Sequence, residues 1–510
     1  MATDTKTPSW RTVPSPKYGS GIDRVVDLSH DLHDFPGREP HIPPPAYSHV
    51  EPWGNGVEDR ARAFNHLRIE PFHYSDSPDS IAATVTVCTQ MDPQLEGPFL
   101  GYLPQHVYGE FDPKLKMVPK GPADVSLAQL VTNAAIIDRP AGPGEHVPLK
   151  DIQEGSRHAQ HGDAILVRTG FLDRYPDSYV WPDFEPGITS WLNQTYGSLI
   201  YGLDSPSVEG RAGGHTPIPN HMGTWENGGI NLEGLVNLGA IPSNRCILLA
   251  LPPKIFGLDA GPARCFALYQ QDGERQIADL SPVVKPFPGQ STPPPPYGRV
   301  EPFEDKNHVT RRLRVDPFHV DNCLEDIGMF VTFNTNLGAH IEIPFENGAP
   351  DMSAFPLERL VGDATAFDIP VGPGQQVTGE LLKAAGADFR KGDIALVRTG
   401  YSDWNWGRPD FYDRSPSFTA DAVDWLIERG AKAVATDCAA VDAQAPLANR
   451  PPDRHNLQRF FEAGVPVASN LTNIAQLFRD RPYVVLAPLR IHGIYACPIR
   501  AIAIEWETAQ

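Results

Sequence analysis

The chain is poor in cysteine. It has six in 510 residues, scattered at Cys88, Cys246, Cys265, Cys323, Cys438 and Cys497, with no C-x-x-C pair. That excludes a disulfide scaffold and a cysteine zinc site, and predicts reduced thiols in a cytoplasmic protein. It also lacks long apolar runs: none reaches the ~18–20 residues of a membrane-spanning helix. The N-terminal stretch MATDTKTPSWRTVPSPKYGSG has no apolar core of the kind a secretory signal carries. Basic residues are the minority, 43 Lys and Arg against 63 Asp and Glu, for a net charge of −20. Such a chain repels phosphate backbones, so nucleic acid is excluded as a partner.

Proline, in contrast, is abundant. The 53 prolines are about twice the usual share of ~5%. They punctuate apolar segments, which predicts short strands, rigid loops and few long helices.

The most informative feature is internal repetition. DLSHDLHDFPG (Asp27 to Gly37) returns as DLSPVVKPFPG (Asp279 to Gly289). LRIEPFH (Leu67 to His73) returns as LRVDPFH (Leu313 to His319), and VTVCTQMDPQLEGP (Val85 to Pro98) as VTFNTNLGAHIEIP (Val331 to Pro344). GDAILVRTGF (Gly162 to Phe171) returns as GDIALVRTGY (Gly392 to Tyr401), and ALPPKIFGLDAGPARCFAL (Ala250 to Leu268) as LAPLRIHGIYACPIRAIAI (Leu486 to Ile504). The order is the same in both halves. We therefore expect a disordered lead-in over 1–21 and two homologous domains, 22–272 and 274–506, packed as an intrachain pseudo-dimer that could also form homo-oligomers. Short runs rich in Val, Ile and Leu and bounded by Gly, Pro and Asp predict buried strands. TADAVDWLIERGAKAV (Thr419 to Val434) predicts a helix with Thr419 as N-cap and Gly430 near its end, and NLQRFFEAG (Asn456 to Gly464) a second. The class is α/β with strand-rich cores.

Taken together, DLSH, T-N-L-G-A-H-I-E-I-P, LVRTG, the D-x-x-x-V-D/E turn, N-L-T-N and P-L-R-I-H-G resemble the cyclase family. That family includes kynurenine formamidase, isatin hydrolase and similar metal-dependent amide or lactone hydrolases. The resemblance covers nearly the whole chain, once per half, and implies a swivelling β/β/α fold in each. The family's metal motif is H-x-G-T-H-x-D-x-P-x-H, joined later by a His and a Glu twelve residues apart. Even spacing on a strand puts its ligands on one face.

Both halves depart from that pattern. The second reads Asn336, Gly338, His340, Glu342 and Glu346, with His455 near the later His position, Leu457 in the slot itself and Ser469 in the Glu slot. The first reads Gln90, Asp92, Gln94, Glu96 and Leu100, but keeps the downstream pair His221 and Glu233. Two candidate ligand sets follow: His340, Glu342 and His455, with Glu346 and Asn336 nearby, and Glu96, His221 and Glu233. Either would suit zinc or manganese, and a metal-free site is the alternative.

The expected function is chemistry at a carbonyl–heteroatom bond of a small molecule, opening or closing a lactone, cyclic amide or related ring. A metal could assist, or His340, Glu342 and Glu346 could transfer protons. The altered ligands also admit a metal-independent cyclase or isomerase of natural-product biosynthesis, or a non-catalytic binder or scaffold, a role that fits the first half best. Arg168, Arg398, Arg264 and Arg500 read as structural, and Asp204 and Asp437 as turn formers. The aromatic run Ser402 to Arg414 is expected over a pocket mouth.

Overall fold

A computed structural model describes residues 22–27, 51–52, 67–73, 81–97 except 91, and 121–279 except 177, 179, 210–217, 256–257, 259 and 272–273. It also describes 301–302, 313–319, and 327–506 except 346–348, 386–387, 407, 409 and 444–454. The expected lead-in over 1–21, Cys323 and Glu346 lie outside the described residues.

Each half builds the same sheet. In the first half the neighbouring strands are Gln94–Glu96, Ile230–Glu233, Ile200–Leu203, Ala164–Arg168, Val131–Asp138, Arg245–Leu251 and Arg264–Gln271. In the second half they are His340–Glu342, Val467–Ser469, Ala433–Thr436, Ile394–Arg398, Val361–Asp368, Tyr483–Pro488 and Ala496–Trp506. The middle strands run parallel and the flanking ones antiparallel. The long strand Ala496–Trp506 pairs with both Tyr483–Pro488 and His340–Glu342, so that sheet closes on itself. Parallel strands covered on both faces must be apolar throughout, and Ile165, Leu166, Val167, Leu396 and Val397 are fully buried.

The two sheets exchange their terminal strands. Ile22–Asp27, the first strand of the first repeat, pairs with Ala496–Trp506, the last strand of the second. Its counterpart Glu274–Asp279 pairs with Arg264–Gln271 of the first half, and the registers correspond, Asp27 opposite Ile502 and Asp279 opposite Phe266. A third, six-stranded sheet takes Leu67–His73 and Ile81–Cys88 from one half and Leu313–His319 and Ile327–Asn334 from the other. The halves meet where Ile81–Cys88 lies antiparallel to Ile327–Asn334, with Thr86 opposite its own repeat equivalent Thr332. The two hydroxyls are 2.9 Å apart. Val85, Val87, Val331 and Phe333 beside them join one apolar core with Ile502 and Ile504. At ~1.5–3 kcal/mol per fully buried large aliphatic side chain, this shared core is a major stabilising contact between the halves.

The expected helices are present but short. The stretch from Thr419 is helical over Ala420–Glu428 and ends before Gly430, which takes φ 80°. Ala433 and Val434 belong to the next strand, because the left-handed glycine turns the chain back into the sheet. The second expected helix, Asn456 to Gly464, is helical up to Glu462, in the helix His455–Glu462, and Gly464 beyond it takes φ 69°. Among the described residues, no helix is long and apolar enough to cross a membrane. Cys88, Cys246, Cys265, Cys438 and Cys497 are buried.

Candidate active site

In the first half, period-two alternation on Gln94–Glu96 sends Leu95 into the core and Gln94 and Glu96 to the opposite face. Glu233 lies directly opposite Gln94, and Asn231 opposite Glu96, so four polar side chains share that face. The helix Pro219–Trp225 starts with proline at its first position, where a missing N–H costs nothing, and lowers His221 onto the face. His221 Nε2 lies 3.2 Å from Glu96 Oε2 and 3.4 Å from Glu233 Oε1. On the far side of the ring, Nδ1 lies 3.3 Å from Glu209 Oε1. Glu209 also accepts from the backbone N–H of Asn220 at 2.6 Å and of His221 at 3.0 Å. One carboxylate thus serves both as the cap of this helix and as the anchor of its histidine. Trp225, one turn on, touches the His221 ring edge-on at 5.3 Å and donates from Nε1 to the Glu96 carbonyl at 3.3 Å.

Glu209 is a residue that sequence reasoning missed. It belongs to no motif, and its only signal is an acidic side chain twelve residues before His221. Gln94 and Gln90, at the family's paired His positions, are tied into the site as well. Gln94 Nε2 donates to Gln90 Oε1 at 2.9 Å and to Glu233 Oε2 at 3.3 Å.

Electrostatics follow from the crowding. Burial by itself would lower the His221 pKa, but Glu96, Glu233 and Glu209 outweigh it and hold the imidazole well above its usual range. Burial raises the Glu233 carboxyl, partly countered by His221. Desolvation, reinforced by the Glu233 charge, pushes Asp92 well above the usual carboxylate range. The Asp92 carboxyl packs over Gly234, whose φ is +72°; a Cβ there would sit 2.0 Å from Asp92 Cγ.

The second half places its candidates differently. His340 is buried, opposite Ser469 across the sheet, and its Nδ1 donates to the Gly338 carbonyl two residues back at 2.9 Å. Burial drives its pKa down to about 4. Glu342 shares its face, opposite Val467 and Ala496. Asn336 sits in a local turn, its backbone N–H donating to Asn334 Oδ1 at 2.8 Å. His455 heads its helix, and its side chain lies outside the described residues, as does Glu346. Leu457, buried, holds the place that His221 has in the first half. Among the described residues, the group whose three donor atoms lie within 4.8 Å of one another is Glu96, His221 and Glu233.

Other expected roles resolve into architecture. Arg168 donates to Asp138 at 2.6 Å and to the Leu238 carbonyl at 2.8 Å, and Arg398 pairs with Asp368 at 2.5 Å. Arg264 reaches across to the Pro488 carbonyl of the other half at 3.0 Å, while Arg500 is buried in its closing strand. Asp204 accepts from the N–H groups of Thr169 and Gly170, both at 2.7 Å, and Asp437 repeats this with Thr399 and Gly400. The aromatic run packs on itself, Phe411 against Tyr401 at 5.3 Å and Trp406 at 5.2 Å, leaving Trp404 in solvent.

The chain is similar in sequence to known proteins. The chain is 31% identical over 172 residues to a kynurenine formamidase of Salinibacter ruber, covering 32% of this chain and 75% of that one. It is 22% identical over 254 residues to an isatin hydrolase of Roseibium aggregatum, covering 46% of this chain and 92% of that one. A crystal structure of an isatin hydrolase bound to the product analogue thioisatinate aligns at 19% identity, over 38% of this chain and 82% of that one, with a TM-score of 0.33. The family described as "Putative cyclase" matches twice, over residues 26–210 and 277–443. The chain belongs to the cyclase family, whose relatives named here are hydrolases.

Proposed function

We propose that the chain acts on a carbonyl–nitrogen or carbonyl–oxygen bond of a small molecule at the centre in its first half, opening a lactone, cyclic amide or related ring by hydrolysis or closing one by the reverse condensation. The observation that carries this reading is His221 Nε2 facing both Glu96 and Glu233 while Glu209 holds Nδ1.

The donor set suits a divalent ion of the zinc or manganese kind: one imidazole nitrogen and two carboxylates, converging on a buried face, with the far ring nitrogen fixed by a carboxylate. Bound by Glu96, His221 and Glu233, such an ion would supply Lewis-acid polarisation of the carbonyl and acidify a water. The protein's own groups do the rest. With an ion bound, Glu209, accepting from Nδ1–H, would hold the tautomer that leaves the Nε2 lone pair free for it. Trp225 excludes water from one side of the ring. Asp92, biased towards its protonated form beside Glu233, is suited to hand a proton to the leaving nitrogen or oxygen as the carbonyl bond breaks.

A second reading, a metal-independent cyclase or isomerase, is favoured by Gln90 and Gln94 standing where the family has histidines. In that case His221 and the carboxylates act by proton transfer alone. Metal analysis of the purified chain separates the two. The first reading expects about one equivalent of zinc or manganese, displaced by His221→Ala, with activity lost on chelation. Less than about 0.2 equivalents with activity untouched by chelators sinks it. We further infer that residues 22–272 and 274–506 form an intrachain pseudo-dimer, supported by the Thr86–Thr332 pairing and the exchanged terminal strands.

A further inference from the structure

The two halves carry the same polypeptide frame around different chemistry. Gly234 N–H donates to the Ser205 carbonyl at 2.9 Å, and its repeat equivalent Asn470 donates likewise to Cys438 at 2.8 Å. Both residues take positive φ, +72° and +60°. At this shared position the side chains are exchanged. In the first half Asp92 projects over Gly234; in the second, the Asp92 position is Gly338 and the Gly234 position is Asn470. A polar side chain thus flanks the centre in each half, supplied from opposite strands.

The second centre keeps His340 and Glu342, but among the described residues no three metal-binding groups converge there. Where the first half has Glu233 and His221, the second has Ser469 and Leu457. Phe461 stands at the Trp225 position, against Phe345, which also meets Tyr495, each pair at 5.7 Å. Among the described residues, three buried polar atoms there have no hydrogen-bond partner: Ser469 Oγ, Asn470 Nδ2 and Asn470 Oδ1. Asn470 is fully buried and Ser469 is 1% exposed. His340, opposite Ser469, has spent its Nδ1–H on Gly338 and keeps Nε2 as an acceptor. A buried donor or acceptor left unpaired costs ~1–3 kcal/mol, so an unpaired carboxamide here is an expensive feature unless something occupies it.

We propose that the second centre is a metal-independent binding pocket for a small neutral carboxamide or lactam, whose amide pairs with the Asn470 carboxamide. One donor and one acceptor on Asn470 match one acceptor and one donor on such a ligand. Ser469 Oγ and His340 Nε2 offer further polar contacts, and the rings of Phe345 and Phe461 suit an aromatic body. This pocket is independent of whether the first centre hydrolyses amides.

The test is calorimetric titration of the full chain with benzamide after treatment with EDTA. Saturable binding is expected, unchanged by His221→Ala and weakened about tenfold to a hundredfold by Asn470→Gly, which removes up to two hydrogen bonds. Glycine accepts the backbone conformation at 470, and the first half already has Gly234 there. Asn470→Asp, which keeps the shape but replaces the donor with a charge, is expected to weaken binding similarly. No saturable binding below about 10 mM, roughly 2.7 kcal/mol of affinity, overturns the proposal. So does binding that survives both Asn470 variants, or binding abolished by His221→Ala.

Discussion

Glu209 offers the sharpest test of the first centre, because it acts on His221 and not on a reacting group. Its carboxylate accepts from two backbone N–H groups at the start of the helix, from the imidazole and from the Asn220 side-chain amide. Glu209→Ala removes both functions. Loss of the partner that orients a metal-ligating histidine typically lowers metal affinity ~10–100-fold, about 1.4–2.7 kcal/mol. Loss of the helix cap costs a further ~0.5–2 kcal/mol of folding stability, measurable with no metal present. Glu209→Gln keeps an acceptor for Nδ1–H but gives up the charge, so it falls at the mild end of both ranges. The assay is competition for zinc or manganese against a calibrated chelator, alongside denaturant unfolding of the metal-free chain. If both variants bind metal as tightly as the parent while the apo stability falls, Glu209 is only a cap and the anchoring role is wrong.

Three further outcomes are expected. His340 is neutral and buried, with its pKa at about 4 against 6.5 for an ordinary imidazole. The unfolded chain therefore takes up the proton first: the stability that His340 contributes is complete above pH 6.5 and is lost as pH falls through 4. The shift corresponds to roughly 3 kcal/mol. His340→Gln should flatten the pH dependence of unfolding in that window, and an unchanged slope would contradict the burial. Gly234→Asn should destabilise the chain by several kcal/mol, because its Cβ would meet Asp92 Cγ at 2.0 Å. Adding Asp92→Gly, which copies the second half, should restore thermal stability, and failure to do so would break the reciprocal relation. At the contact between halves, Thr86→Val alone should cost ~1–3 kcal/mol by stranding the Thr332 hydroxyl, whereas the double variant with Thr332→Val should be close to neutral. Purely additive losses in that cycle would mean the two hydroxyls are not coupled.

Much of this protein is legible from local pattern. The runs around Leu166 and Leu396 announce buried strands because apolar residues bounded by Gly and Asp have no other stable place. The duplication is visible because the two halves repeat their motifs in the same order. The resemblance to the family's metal motif named Glu96, His221 and Glu233, because the motif's offsets could be laid onto this sequence. The hydrogen bonds that commit Asp204, Asp437 and Arg168 to architecture also match the reading of those residues from the sequence.

What tertiary structure decided is which equivalent partner each element meets. Two copies of one strand sequence look alike to either half, so the exchange of Ile22–Asp27 and Glu274–Asp279 cannot be read from the residues. It depends on which sheet edge the connections bring within hydrogen-bonding distance. Glu209 carries no motif because its contact with His221 is made by a loop closing over a helix. The opposed pairs Asp92 with Gly234 and Gly338 with Asn470 are distant in sequence, and their complementarity exists only where side-chain volume is shared in space. His340, prominent in the sequence, donates to the Gly338 carbonyl in the bend just before its strand, and in the second half the neighbouring positions offer Ser469 and Leu457 where the first half has Glu233 and His221.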